Sequence, residues 1–140
     1  MSHRRRQMDK SAFFFDNSDT KCIELRLKSH SGGRVKLLIR YEVDGKQQWS
    51  NTVTASDEEL SHLAKWLEDF WDESAPVELA GQRLRFVYAH REQTGDGYYD
   101  IEFIRTVFFF FKLRFTLRVY EQLGTSNSAR AEQVRGLLSI

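Results

Sequence analysis

The chain has 140 residues, 41% hydrophobic and 29% charged, with eleven Phe but a single Pro and a single Cys. That length is one domain's worth, and so aromatic a composition calls for a packed core and argues against a disordered chain. Twenty-one Lys and Arg against twenty Asp and Glu leave a net charge of +1, which excludes a uniformly basic nucleic-acid binder and a uniformly acidic decoy.

In chain order, residues 1–11 read as a flexible basic arm carrying Arg4, Arg5 and Arg6, and residues 12–140 as one domain. Phe13 to Phe15 are a candidate edge strand before the turn Asp16-Asn17-Ser18-Asp19. Ile23, Leu25 and Leu27 then alternate with Glu24, Arg26 and Lys28, the period of a half-buried strand. Gly32-Gly33 turns the chain into a second alternating run from Val35 to Val43. Asp44-Gly45, a dipeptide that accepts the positive φ angles of a tight hairpin, leads to a third run through Trp49, Asn51 and Val53.

The period changes at Ser56-Asp57-Glu58-Glu59, a capping box followed by Leu60, Leu63, Ala64, Leu67, Phe70 and Trp71 on one helical stripe. Pro76 lies beyond its end. Three more alternating runs follow, on Leu84/Phe86/Tyr88, on Tyr99/Ile101/Phe103 and on Phe111/Leu113/Phe115/Leu117/Val119. A loop from Gly124 to Ser128 then precedes a short helix from Ala129 to Ile140, with Ala131, Val134 and Leu138 inward. The expected fold is α+β: a mainly antiparallel sheet of about six strands in the order βββαβββα, one amphipathic helix packed on the sheet, and a short C-terminal helix.

Cys22 cannot form an intrachain disulfide, and its place at the start of a strand reads as a small buried residue. His30, His62 and His90 fall at no metal-ligand spacing, so no cofactor and no enzymatic chemistry is expected. The longest purely apolar run, Val107 to Phe111, is far short of the roughly 20 residues of a membrane helix, so no membrane partner is expected and the expected setting is the cytoplasm.

Charge is the more informative signal. The outward strand positions gather Arg26, Lys28, Arg34, Lys36, Arg40, Arg83, Arg85, Lys112, Arg114 and Arg118 against Glu24, Glu42, Asp100 and Glu102. The helical segment 57–73 holds seven acids against Lys65 alone. The near-zero total therefore hides two faces of opposite sign, each able to steer a partner, although cross-strand ion pairs of Glu102 or Asp100 with Arg114 account for part of the pattern. The candidate partner-binding residues are Glu58, His62, Asp69, Asp72 and Glu73 on the helix. The alternative basic face is Arg40, Arg85, Lys112, Arg114 and Arg118. Phe111 and Phe115 share the apolar phase and are expected in the core. Phe108 and Phe110 point outward, to be covered by the C-terminal helix or by a second copy in a homodimer.

The opening segment FFFDNSDTKCIELRL, the capped helix SDEELSHLAKWLEDF, the second strand set and the ending VRGLLSI together resemble the small cytoplasmic immunity proteins of bacterial polymorphic-toxin systems. The resemblance covers about residues 13–140. It implies a non-catalytic protein that binds and blocks a cognate toxin. Two other readings stay open: a single-stranded nucleic-acid-binding module on the basic sheet face, disfavoured because the expected Lys/Arg-Gly-Phe signature is absent, and a homo-oligomeric structural subunit.

Overall fold

The computed structural model describes residues 10–69, 75–91, 97–106, 111–121 and 125–138. The strands are β1 (Ser11–Phe15), β2 (Lys21–Ser31), β3 (Arg34–Val43), β4 (Lys46–Ser56), β5 (Val77–Leu79), β6 (Leu84–Arg91), β7 (Gly97–Thr106) and β8 (Lys112–Glu121); the helices are α1 (Asp57–Asp69) and α2 (Thr125–Leu138). The class is α+β with antiparallel pairing throughout, but the strands form two sheets, ordered β1-β2-β3-β4 and β5-β6-β7-β8. The expected single sheet of six is corrected on both counts. Alternation along a strand records that one face is buried, not which sheet buries it.

Short local signals set the turns. Gly32 and Gly33 have φ of 60° and 77°, and Asp44 and Gly45 have 52° and 79°. Two successive left-handed residues match the twist of a two-residue hairpin. The capping box forms as its spacing requires: Glu59 N–H donates to Ser56 Oγ at 3.1 Å, and Ser56 N–H donates to Glu59 Oε1 at 3.0 Å. The same Glu59 oxygen accepts from Ala80 N–H at 3.3 Å and so ties the start of α1 to the end of β5.

The sheets meet through their inner faces. Trp49 stacks on Phe103 at 5.3 Å, Tyr41 and Trp49 bracket Phe115 at 4.4 and 5.2 Å, and Phe14 meets Phe86 edge-on at 5.4 Å. Both helices feed the same core: Leu60, Leu63 and Leu67 from α1 and Ala131, Val134 and Leu137 from α2 are fully buried. Trp66 of α1 packs edge-on against Tyr99 at 5.6 Å. The helices pack on each other, and Arg135 of α2 clamps Glu68 of α1 with two bonds of 2.7 and 2.8 Å.

Further expectations change. Lys10 and Ser11 do not belong to an arm: Leu27 N–H donates to Lys10 C=O at 2.8 Å, and Ser11 opens β1. α2 begins at Thr125, inside the expected loop, and Leu137 rather than Leu138 is its fully buried leucine. β5 has only three residues and takes its order from pairing with β6, which a local pattern does not record. The remainder of the arm, Phe70, Trp71, and the outward pair Phe108 and Phe110 lie outside the described residues. α2 packs chiefly on α1 and β1, and Phe111, expected in the core, is 64% exposed.

Candidate functional site

Three acids of the helix proposed from sequence are engaged within the molecule. Asp57 meets His30 Nε2 at 2.8 Å, Glu59 serves the cap, and Glu68 is held by Arg135. The Arg135 guanidinium keeps the Glu68 carboxyl below its ordinary range. Of the five candidates, Glu58 and His62 lie exposed one turn apart on α1, and Asp69 is the last residue of that helix. Asp72 and Glu73 lie outside the described residues.

The basic residues do not share one face. Because the inner faces meet, Arg40 belongs to the outer face of the first sheet, while Arg85, Lys112, Arg114 and Arg118 belong to the outer face of the second. The summed basic face is therefore corrected to two surfaces. On the first sheet, Glu24 is not outward to solvent: it is 2% exposed. It accepts from Ser11 Oγ at 2.5 Å, Arg26 Nε at 2.9 Å and Arg40 at 2.7 Å, and Arg40 also reaches Glu42 at 2.7 Å. Burial pulls the Glu24 carboxyl upward, but these three donors outweigh it and hold the group below its usual range.

The outer face of the second sheet is built of cross-strand rows fixed by register. His90, Tyr98 and Tyr120 form one row, with ring separations of 6.4 and 5.1 Å. Asp100 and Arg118 form the next, joined by two bonds of 2.8 and 3.0 Å. Glu78, Arg85 and Glu102 form a third, in which Glu102 Oε1 accepts from Arg85 at 3.0 Å and from Arg114 of the adjoining row at 3.4 Å. The Glu102–Arg114 pair is the one anticipated from sequence; Asp100 pairs with Arg118 instead. Beside these rows a groove of about 310 Å³ is lined by Glu78, Gly81, Gln82, Arg83, Arg85, Ile104, Lys112 and Arg114.

Sequence reasoning missed Tyr98 and Tyr120 as surface residues, although they share the period-two phase of Asp100 and Arg118. It also missed the turn Ala80-Gly81-Gln82, whose three residues all take positive φ, 54°, 65° and 72°. Gly81 and Gln82 of this turn line the groove. A second hollow of about 370 Å³ lies between Gly81 and the Gly32-Gly33 turn, and Glu59 lines it. Arg34 lines it too, so the charges of its lining cancel.

Other chemical candidates resolve into structural roles. Cys22 is buried, and burial pushes its thiol up to about 11, opposite to what a nucleophile requires. Glu121 is buried in the inner layer and accepts from Tyr99 Oη at 2.6 Å, with Arg130 Nε 3.8 Å away. Among the described residues, no cluster of His, Cys, Asp and Glu is placed to hold a metal ion, and no helix is long and apolar enough to cross a membrane. Comparison with protein-family models, curated proteins and solved structures returns no match.

Proposed function

We propose that this chain is a non-catalytic, immunity-type binding protein that neutralises a cognate toxin through the outer face of its second sheet. The observation that carries this reading is the composition of that face and its cross-strand register. Tyr98, Tyr120, Arg85, Arg114 and Arg118 stand on its outer side in register-fixed rows. Tyr and Arg are enriched among the anchors of protein–protein interfaces. The face combines Tyr and Arg side chains over several strands, whereas of the five helix candidates only Glu58 and His62 lie exposed among the described residues.

The test is coexpression with the protein encoded beside this gene, followed by size-exclusion chromatography and calorimetry. A stable 1:1 complex is expected. Arg114→Glu with Arg118→Glu weakens it while Asp69→Lys with Asp72→Lys leaves it intact; the reverse pattern moves the site to α1. Absence of any complex with the neighbouring protein overturns the reading.

One observation favours a second reading. The row His90, Tyr98 and Tyr120 sets three rings side by side on the outer face of the second sheet, the kind of aromatic row that nucleic-acid platforms use to stack single-stranded bases. Its test is binding of an oligothymidylate at low salt, with Tyr98→Ala and Tyr120→Ala expected to abolish the shift.

A further inference from the structure

The groove on the second sheet holds more positive charge than its own carboxylates neutralise. Arg83, which also lines it, donates to the neutral Asn51 Oδ1 at 3.3 Å and lies over the Phe103 ring at 5.6 Å. Arg85, Lys112 and Arg114 remain, facing Glu78 and Glu102. The two acids do not satisfy the three cations. Glu102 shares one oxygen between Arg85 and Arg114, and Arg114, 59% exposed, reaches it only at 3.4 Å. The buried Nε of Arg85 lies 3.2 Å from Glu78 but has no aligned acceptor. Lys112 has no ionic partner among the described residues and is exposed. Half-buried Ile104 lines the groove between β6 and β8 and offers an apolar seat for a short methylene stem.

We propose that this groove receives the carboxylate of a single Asp or Glu side chain of the protein partner, gripped by Lys112 and Arg114 with its stem on Ile104. The inference rests on the protein-binding reading above. A discrete carboxylate suits the site better than a phosphate strand does. Glu78, Glu102 and Asp100 interrupt the cations along the face, so successive phosphates would meet carboxylates at neighbouring positions. One added carboxylate offsets part of this excess positive charge, and charge-assisted bonds to Arg are directional enough to set register.

The test uses the full chain and two probes, acetyl-Ala-Glu-Ala-amide and its Gln counterpart, followed by proton–nitrogen NMR correlations. Saturable shifts confined to the Lys112 amide, the Arg114 side chain and the Ile104 amide are expected with the Glu probe and not with the Gln probe. Lys112→Gln with Arg114→Gln, both exposed and compatible with folding, abolishes them; Lys28→Gln with Lys36→Gln on the first sheet does not. Shifts spread evenly over cations of both sheets, no saturable shift, or stronger shifts at these residues with an oligothymidylate overturn the proposal. With the neighbouring protein as ligand, Lys112→Gln with Arg114→Gln is expected to weaken binding about tenfold or more. Equal affinity overturns the groove assignment and leaves the protein-binding reading standing, whereas absence of a complex with the wild-type chain overturns that reading itself.

Discussion

Two buried glutamates show how the same residue type takes opposite roles. Glu24 sits on an outer face, ringed by Ser11, Arg26 and Arg40, and its carboxyl is held below the ordinary range. Its contribution is present above the unfolded-state pKa and is lost as pH falls through the folded one. Glu121 sits in the inner layer, where burial outweighs the Tyr99 hydrogen bond and the nearby Arg130 and raises its carboxyl above the ordinary range. Its sign is reversed: relative stability is present at low pH and is lost as pH rises through the raised folded value. Glu24→Gln is therefore expected to destabilise by about 2 kcal/mol at neutral pH, because Arg26 loses its anion and Arg40 keeps only Glu42. Glu121→Gln keeps an acceptor for Tyr99 and is expected to raise the unfolding midpoint more at pH 8 than at pH 5. Urea titrations at the two pH values check both, and a Glu121→Gln chain with wild-type pH dependence contradicts the assignment. In the sequence both residues stand in alternating strands. Nothing local says that Glu24 is enclosed on the outer face by donors from β1 and β3.

At the scale of elements, β8 carries a gradient rather than a uniform face. Along one phase, Phe111 is 64% exposed and Leu113 53%, Phe115 is half-buried, and Leu117 and Val119 are 3% and 1% exposed. The period-two reading of this strand was correct as a phase and failed as a measure of depth. Tyr41 and Trp49 pack over Phe115, so the aromatic layer between the sheets reaches that residue. Leu117→Ala is expected to cost about 2–5 kcal/mol, since it opens a cavity in the core. Leu113→Ala is expected to stay within about 0.5 kcal/mol, as for other exposed positions. Equal costs by chemical denaturation would mean that Leu113 is covered. The capping box and the Asp44-Gly45 turn, by contrast, were legible because each joins residues no more than three apart in the chain and needs no distant partner. β5 was not, because three residues hold no period and depend on β6 for their backbone bonds.

At the scale of the whole molecule, both sheets and both helices contribute to one buried cluster. Trp49 joins the sheets and Trp66 joins α1 to the second sheet, so tryptophan fluorescence reports on both junctions. A single cooperative transition is expected, with coincident fluorescence and far-ultraviolet circular dichroism curves in urea. Separate transitions would mean that the sheets unfold as independent units. The same joining of sheets redistributes charge: the basic residues that sum to one face along the chain divide between two outer surfaces, and two acids of α1, Glu59 and Glu68, are drawn into the cap and a clamp with α2. The sequence by itself determined the α+β class, the strand phases, the helix start and the tight turns, because these depend on neighbours a few residues apart. Only the tertiary structure decided that there are two sheets, that Glu24 is enclosed while Leu113 is open, and that Arg85, Lys112 and Arg114 converge on one groove. Those outcomes depend on which strands pair and which faces meet, through contacts between residues tens of positions apart.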